Sequence, residues 1–472
     1  MNKTISAFSN DALGNLDAVG VAEAIAKKIV SVQEVTEAAI ARAEKTNGEL
    51  NAIVIKTYDD ARNYNSLAKG GALYGVPAFI KDNENIKGYP TQLGTGSFQA
   101  KIAKKNSRFV NQFLSTGANS LGKSTLPEFG LICSTENERW GITRNPWNTD
   151  YTTGGSSSGS AALVVSGIVP IATANDGAGS IRIPAACCGL VGLKPTRHRL
   201  VPMDGSELMP LQIVYEGVLT RSVRDTAAFF ASSEKFYKNP KLPQLDHVTE
   251  SSKKKLRIVF FENPARGKGG HQDADTHRVQ LETVAILQSL GHTVEQLPLP
   301  IDVDAMADHY LMYYGFLAYM ISHQSRLVLG TKVNREVLEP FTLGLSEKFK
   351  DNKLKLLRSI KTLRQVGVDT EKLFDKYDVI MTPVLAHTTP QIGHFSPTLS
   401  YEEVSKRAVD FATYCGLQNI TGAPAISLPM GKAQNGMPVA VQLSAPFGLD
   451  QRLLELAYEL EEARPWKFIY NS

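Results

Sequence analysis

Apolar positions first recur along the chain at helical spacing. The stretch DAVGVAEAIAKKIVSVQEVTEAAIARAEK predicts helices over residues 17–46, with Asn47-Gly48 as a stop signal. The period then changes. LNAIVIK (50–56) and VPAFIKD (76–82) read as strands with a polar helix between them, and IVPIATA (168–174) reads as a buried strand. SIRIPAACC (180–188) opens a further helix. KLRIVFF (255–261) is a strand, followed by a helix from Asp273, a stop at Gly291 and another strand. YDVIMTP (377–383), APAISLP (423–429) and MPVAVQLSAP (437–446) complete the strands, and DQRLLELAYELEEA (450–463) is a last helix. Strands and helices alternate throughout, which predicts a layered α/β sheet. No internal repeat is visible, and the weakest join is the polar stretch near 235–255.

Composition narrows the function classes. The chain has 472 residues, 43% hydrophobic and 21% charged, as a folded globular protein does. A net charge of +4, from 51 basic and 47 acidic residues, is too small to argue for nucleic acid or an anionic membrane as partner. The run Lys253-Lys254-Lys255 reads as a solvated segment before a strand. Cys133, Cys187, Cys188 and Cys415 form no CxxC pair, so a zinc site is not expected, and so few cysteines suit a reducing compartment. No apolar run approaches the roughly 20 residues that span a bilayer, and the first residues carry no signal-peptide pattern. The expectation is a cytoplasmic protein.

Candidate chemistry lies in two neighbouring stretches, TTGGSSSGSAAL (152–163) and ATANDGAGSIRIPAACCG (172–189). A Gly/Ser linker would lie between domains, whereas this cluster sits among tightly spaced apolar segments. Gly155-Ser156-Ser157-Ser158-Gly159 matches the G-x-S-x-G elbow of esterases, but TRNPWNTDYTT before it makes a poor strand. Ser232 and Lys235 match a short S-x-x-K pattern that is common by chance, and no Gly-Lys-Ser/Thr follows to make a phosphate loop. The second stretch is more informative. A strand running into GAGS, at the mouth of a helix, gathers backbone N–H groups at one point, where a tetrahedral oxyanion is stabilised. Ser180 stands beside those donors. A serine hydroxyl needs a base, and Lys81 closes an apolar strand where α/β sheets carry active-site groups.

These segments together resemble the amidase signature family of serine hydrolases. GGSSSGSAALVVSGIVPIATANDGAGSIRIPAACCGLVGLKPTR (154–197) is similar to the family's signature, and GVPAFIKD, TRNPWN (143–148), EGVLTRSVRDTAAF (216–229) and GAPAISLPMG…GMPVAVQL agree with it. GLVGLKPTRHRL…EGVLTRSVRDTAAF looks most like the branch of the 6-aminohexanoate cyclic dimer hydrolases. The likeness covers nearly the whole chain. It implies a single amidase-signature domain over 1–472, a central mixed, twisted β-sheet with helices on both faces. Its signature core would span about 70–230, a variable substrate-shaping region about 235–400, and C-terminal strands and helix 410–472.

The resemblance also implies a Ser–Ser–Lys triad: Ser180 as nucleophile, Ser156 as bridging serine after a cis peptide bond, and Lys81 as base. Ser180 and Ser156 are 24 residues apart, as the family pattern requires. Gly177, Ala178, Gly179 and Ser180 would offer N–H groups to the oxyanion, and Asp176 and Arg182 would hold the turn as a charge pair. The family usually has Gly-Gly before the nucleophile. Here Ala178-Gly179 stands there, so a methyl group would narrow the site or restrict φ. The implied function is hydrolysis of a small-molecule amide, linear or cyclic, with no metal or organic cofactor. A homodimer is compatible with this reading. The alternative within the fold is the glutaminase component of a tRNA amidotransferase, and outside catalysis a binding protein that kept the fold. The aromatic stretch DAMADHYLMYYGFLAYMISHQ (304–324) is either core or an apolar wall of the site.

Overall fold

The computed structural model describes residues 3–266 and 271–471. Eleven strands share one sheet. In chain order they are β1 (Ile53–Lys56), β2 (Pro77–Lys81), β3 (Asn119–Ser124), β4 (Ile171–Asp176), β5 (Val191–Lys194), β6 (Tyr215–Thr220), β7 (Arg257–Arg266), β8 (Thr293–Asp302), β9 (Val379–Pro383), β10 (Ala425–Lys432) and β11 (Pro438–Ser444). Their spatial order is β1-β3-β2-β4-β6-β5-β10-β11-β9-β7-β8. The pairs β3–β2, β2–β4, β9–β7 and β7–β8 are parallel and the others antiparallel, so the sheet is mixed. Helices pack against the sheet along its length, as the family resemblance implies. Strands from before and after residues 235–255 lie in the same sheet.

The observed elements shift from the expected ones for physical reasons. The helices expected over 17–46 are Ala18–Ala26 and Val32–Leu50. Lys28 takes a left-handed φ of 56° between them, and Ser31 starts the second with a capping box to Glu34. That helix passes Asn47-Gly48 and stops three residues later, at left-handed Asn51. The Asn47 side chain accepts the N–H groups of Ala52 and Ile53, so it caps the end instead of breaking it. The strand expected at 168–174 is β4, displaced to 171–176 so that it carries Asn175 and Asp176 to its end.

Strands β3, β5 and β6 lie where the apolar pattern predicts none. They contain Lys123, Lys194 and Glu216, all buried, which hides the apolar pattern of an interior strand. Apolar packing continues around both sides of the sheet, and a second cluster surrounds the long helix Val303–His323 with Leu356–Glu371. Among the described residues, no helix is long and apolar enough to cross a membrane.

Candidate active site

All five residues of β2 are buried, and its last, Lys81, is only 1% exposed. The Lys81 N–H donates to Thr173 Oγ1 of β4 at 2.9 Å, tying the strand end to its parallel neighbour. Its Nζ reaches Ser156 Oγ at 2.8 Å, Ser157 Oγ at 3.0 Å and Asn175 Oδ1 at 2.5 Å. Burial draws the amine down to about 7 against the opposing pull of Glu216, Asp176 and Glu84.

A neutral amine has two N–H donors and one lone pair, so one of these three contacts must run towards nitrogen. Asn175 Oδ1 only accepts. Ser157 Oγ already donates to the Ser180 carbonyl at 2.6 Å. Among the described residues Ser156 Oγ has no other protein partner, so its hydroxyl can turn its proton towards Lys81.

Ser156 follows a cis peptide bond from Gly155. A β-carbon at Gly155 would approach the Cys133 carbonyl carbon and the Ser134 nitrogen at 2.8 Å, so only glycine suits that approach. The helix Ser158–Val165 begins two residues on and is buried along its length. Ser158 and Ser160 bond to framework atoms, the Gly154 and Thr173 carbonyls. No strand precedes Ser157, which is wholly buried, so the elbow geometry of an esterase is absent there.

At the end of β4 the chain turns through Gly177–Ile181 into the helix Arg182–Cys188. Asp176 organises the turn. Its oxygens accept the N–H groups of Gly179 (2.6 Å) and Ile181 (3.2 Å) and pair with Arg182 at 2.9 Å. Burial by itself raises the Asp176 carboxyl, but the Arg182 charge and its hydrogen bonds outweigh this and hold it at about 2. Arg182 also bonds to Gln418, Asn419 and Gln442, so the C-terminal region buttresses the turn.

One expectation is corrected here: the Gly179 N–H is committed to Asp176 and is not free for an oxyanion. Among the described residues, those of Gly177, Ala178 and Ser180 donate to no protein acceptor. Gly179 serves otherwise, through a φ of 113° in contact with Cys415, where a β-carbon would come within 2.6 Å. Ala178 has no left-handed φ, so its methyl group does not strain the backbone; it lines the cavity instead.

Ser180 and Ala178 open on a cavity of about 130 Å³. Its wall includes Leu131, Ile132, Met306, Tyr310, Tyr314 and Phe341, and no lining side chain is charged. The helix Val303–His323 therefore gives one face to the core and another to this cavity. Tyr310 Oη donates to the Gly177 carbonyl at 2.5 Å, docking the wall onto the turn. Lys81 and Ser156 are thus in contact, and Ser180 joins them through Ser157. No hydrogen bond links Ser180 Oγ to Ser156 Oγ. Sequence reasoning missed Ser157 and Asn175 as partners of Lys81. The alternation along β4, with Asn175 two residues after Thr173, was the available signal.

The Amidase sequence profile matches residues 34–454. The chain belongs to the Amidase family. This amidase is 46% identical to AmiC of Mycobacterium leprae (strain TN), a protein with an amidase name, over 98% of each chain. It is 30% identical to the 6-aminohexanoate-cyclic-dimer hydrolase of Paenarthrobacter ureafaciens over 95% of each. A solved structure of a 6-aminohexanoate cyclic dimer hydrolase superposes with a TM-score of 0.84 at 28% identity, covering 97% of this chain and 98% of the other. A glutamyl-tRNA(Gln) amidotransferase component from Halothermothrix orenii is more distant, at 28% identity over 93% of this chain and 94% of that protein. The amidase is accordingly an amidohydrolase.

Proposed function

We propose that this chain, working as one domain, hydrolyses uncharged small-molecule amides through a Ser180 acyl-enzyme, with Ser156 and Lys81 as its proton relay. The observation that carries this reading is buried Lys81 bonded to Ser156, with Ser180 facing an apolar cavity beside unpaired N–H groups. Ser180 Oγ attacks the carbonyl carbon. Its proton passes to Ser156 as the Ser156 proton passes to the Lys81 amine. The N–H groups of Gly177, Ala178 and Ser180 receive the oxyanion. Collapse breaks the C–N bond, the relay returns the proton to the leaving amine, and water then hydrolyses the ester.

The wall supports an apolar acyl group, linear, aryl or cyclic. Glutamine would bury an ammonium and a carboxylate against a surface with no charged partner, at a cost of several kcal/mol per ion. The test compares kcat/KM of the purified chain, without ATP or a partner, on a hexanoyl anilide, the 6-aminohexanoate cyclic dimer and glutamine. The anilide or the dimer is expected to exceed glutamine at least about tenfold, the ratio that about 1.4 kcal/mol of differential binding produces. Glutamine ahead by that margin would replace this reading with the glutaminase one.

A further inference from the structure

The helix Val303–His323 sets Tyr310 and Tyr314 one turn apart on the face that lines the active cavity. Their rings pack with centroids 5.5 Å apart. The helix is held close against its neighbour Pro340–Lys350, since a β-carbon at Gly315 would meet the Leu345 carbonyl oxygen at 2.8 Å. Tyr310 Oη also docks the helix onto the turn that carries Ser180, so both tyrosines are fixed relative to it.

The hydroxyls of the wall differ in what they bond. Tyr310 Oη is committed to the Gly177 carbonyl at 2.5 Å, and Thr413 Oγ1 donates to the Val409 carbonyl at 2.7 Å. Among the described residues, Tyr314 Oη has no hydrogen-bond partner. It stands against Gly177, where a β-carbon would lie 3.0 Å from this oxygen. The Gly177 N–H, like those of Ala178 and Ser180, donates to no protein acceptor among the described residues. Burial pushes the Tyr314 phenol above its ordinary value, and the Asp176 charge adds to this, so the hydroxyl keeps its proton and can donate. Once an apolar acyl group has expelled water from the cavity, an unpaired hydroxyl there costs about 1–3 kcal/mol. The acceptor that such a substrate brings is its own carbonyl oxygen.

We propose that Tyr314 is a further catalytic residue, whose hydroxyl donates to the carbonyl oxygen of the scissile amide beside the N–H groups of Gly177, Ala178 and Ser180. This rests on the reading of Ser180 as the nucleophile. The bond strengthens as that oxygen takes up negative charge during the attack, and the phenol keeps its proton throughout. Acylation and deacylation each pass through an oxyanion, so both steps use this donor. Tyr314 is thus where the apolar wall takes part in the chemistry.

The test measures kcat and KM of wild type and Tyr314→Phe on acetyl, butyryl and hexanoyl anilides. It adds the affinity of an alkyl trifluoromethyl ketone, which takes up the serine and leaves an oxyanion in the site. Tyr314→Phe keeps the ring and removes only the donor. It is expected to lower kcat about 10²-fold on all three anilides, with KM within about twofold, as loss of a bond made in the transition state does. The ketone should bind more weakly by a like factor. An unchanged kcat overturns the proposal. So does a change confined to KM or varying with acyl length, because a ring that only shapes the wall acts that way. Fluorophosphonate labelling of the wild type separates this result from the Ser180 reading. With the adduct on Ser180, that reading stands and the Tyr314→Phe kinetics decide; without it, both fall.

Discussion

The two sides of the active cavity are built on opposite principles. On the signature side, Lys81, Ser157, Asn175, Asp176 and Arg182 are buried polar groups bound to named partners, mostly within 3 Å. On the facing side, Met306, Leu311, Phe341 and Val409 contribute shape and apolar area. A buried polar network is worth most when complete, and losing one member leaves its partners unsatisfied at about 1–3 kcal/mol each. An apolar wall instead changes in increments of a methylene, about 0.8 kcal/mol. The comparison teaches that reaction chemistry and substrate choice reside in separate materials, so damage to one side should appear in kcat and damage to the other in KM.

The strongest way to break that division is at Ser180, a residue that both sides share. Ser180→Ala is expected to lower kcat on the order of 10⁴-fold or more while far-UV circular dichroism stays native. A fluorophosphonate should leave its adduct on Ser180 in the unmodified protein. An adduct mapped to Ser157 would restore the esterase-elbow reading.

Within the polar side, Lys81→Ala and Ser156→Ala should each reduce kcat about 10³-fold, the general-base contribution together with lost nucleophile activation. The proposed relay needs neutral Lys81, and burial draws the amine to about 7. Activity should therefore rise as pH passes upward through about 7 and level off above it, since protonation removes the lone pair. Either variant running at near-normal rate would take that residue out of the relay.

The smallest effect sharpens the boundary. Ala178 belongs to both sides, its N–H to the turn and its methyl group to the wall. Ala178→Gly retains the donor and removes one methyl, so KM for an apolar amide should rise about fourfold with kcat unchanged. A fall in kcat of tenfold or more would mean that the methyl group orients the reacting carbonyl, and the two sides would not be separable at this position.

The sequence alone determined most of the helix and strand periods and the amidase likeness, and it offered Lys81, Ser156 and Ser180 as candidates, because each is written in a short contiguous stretch. It also carried the Asp176–Arg182 pair, whose members are six residues apart on one turn. Tertiary structure decided what those stretches meet. The Lys81 contacts with Ser156 and Asn175 span 75 and 94 residues, and the Arg182 contact with Gln442 spans 260. Strands β3, β5 and β6 carry buried charges that look like loop residues until neighbouring strands enclose them. Only the folded turn reveals that Asp176 claims the Gly179 N–H and leaves those of Gly177, Ala178 and Ser180 open. The physical reason is common to the first two cases. A polar group in the interior is stable only through its partner, and that partner comes from a distant part of the chain, where local propensity carries no information about it.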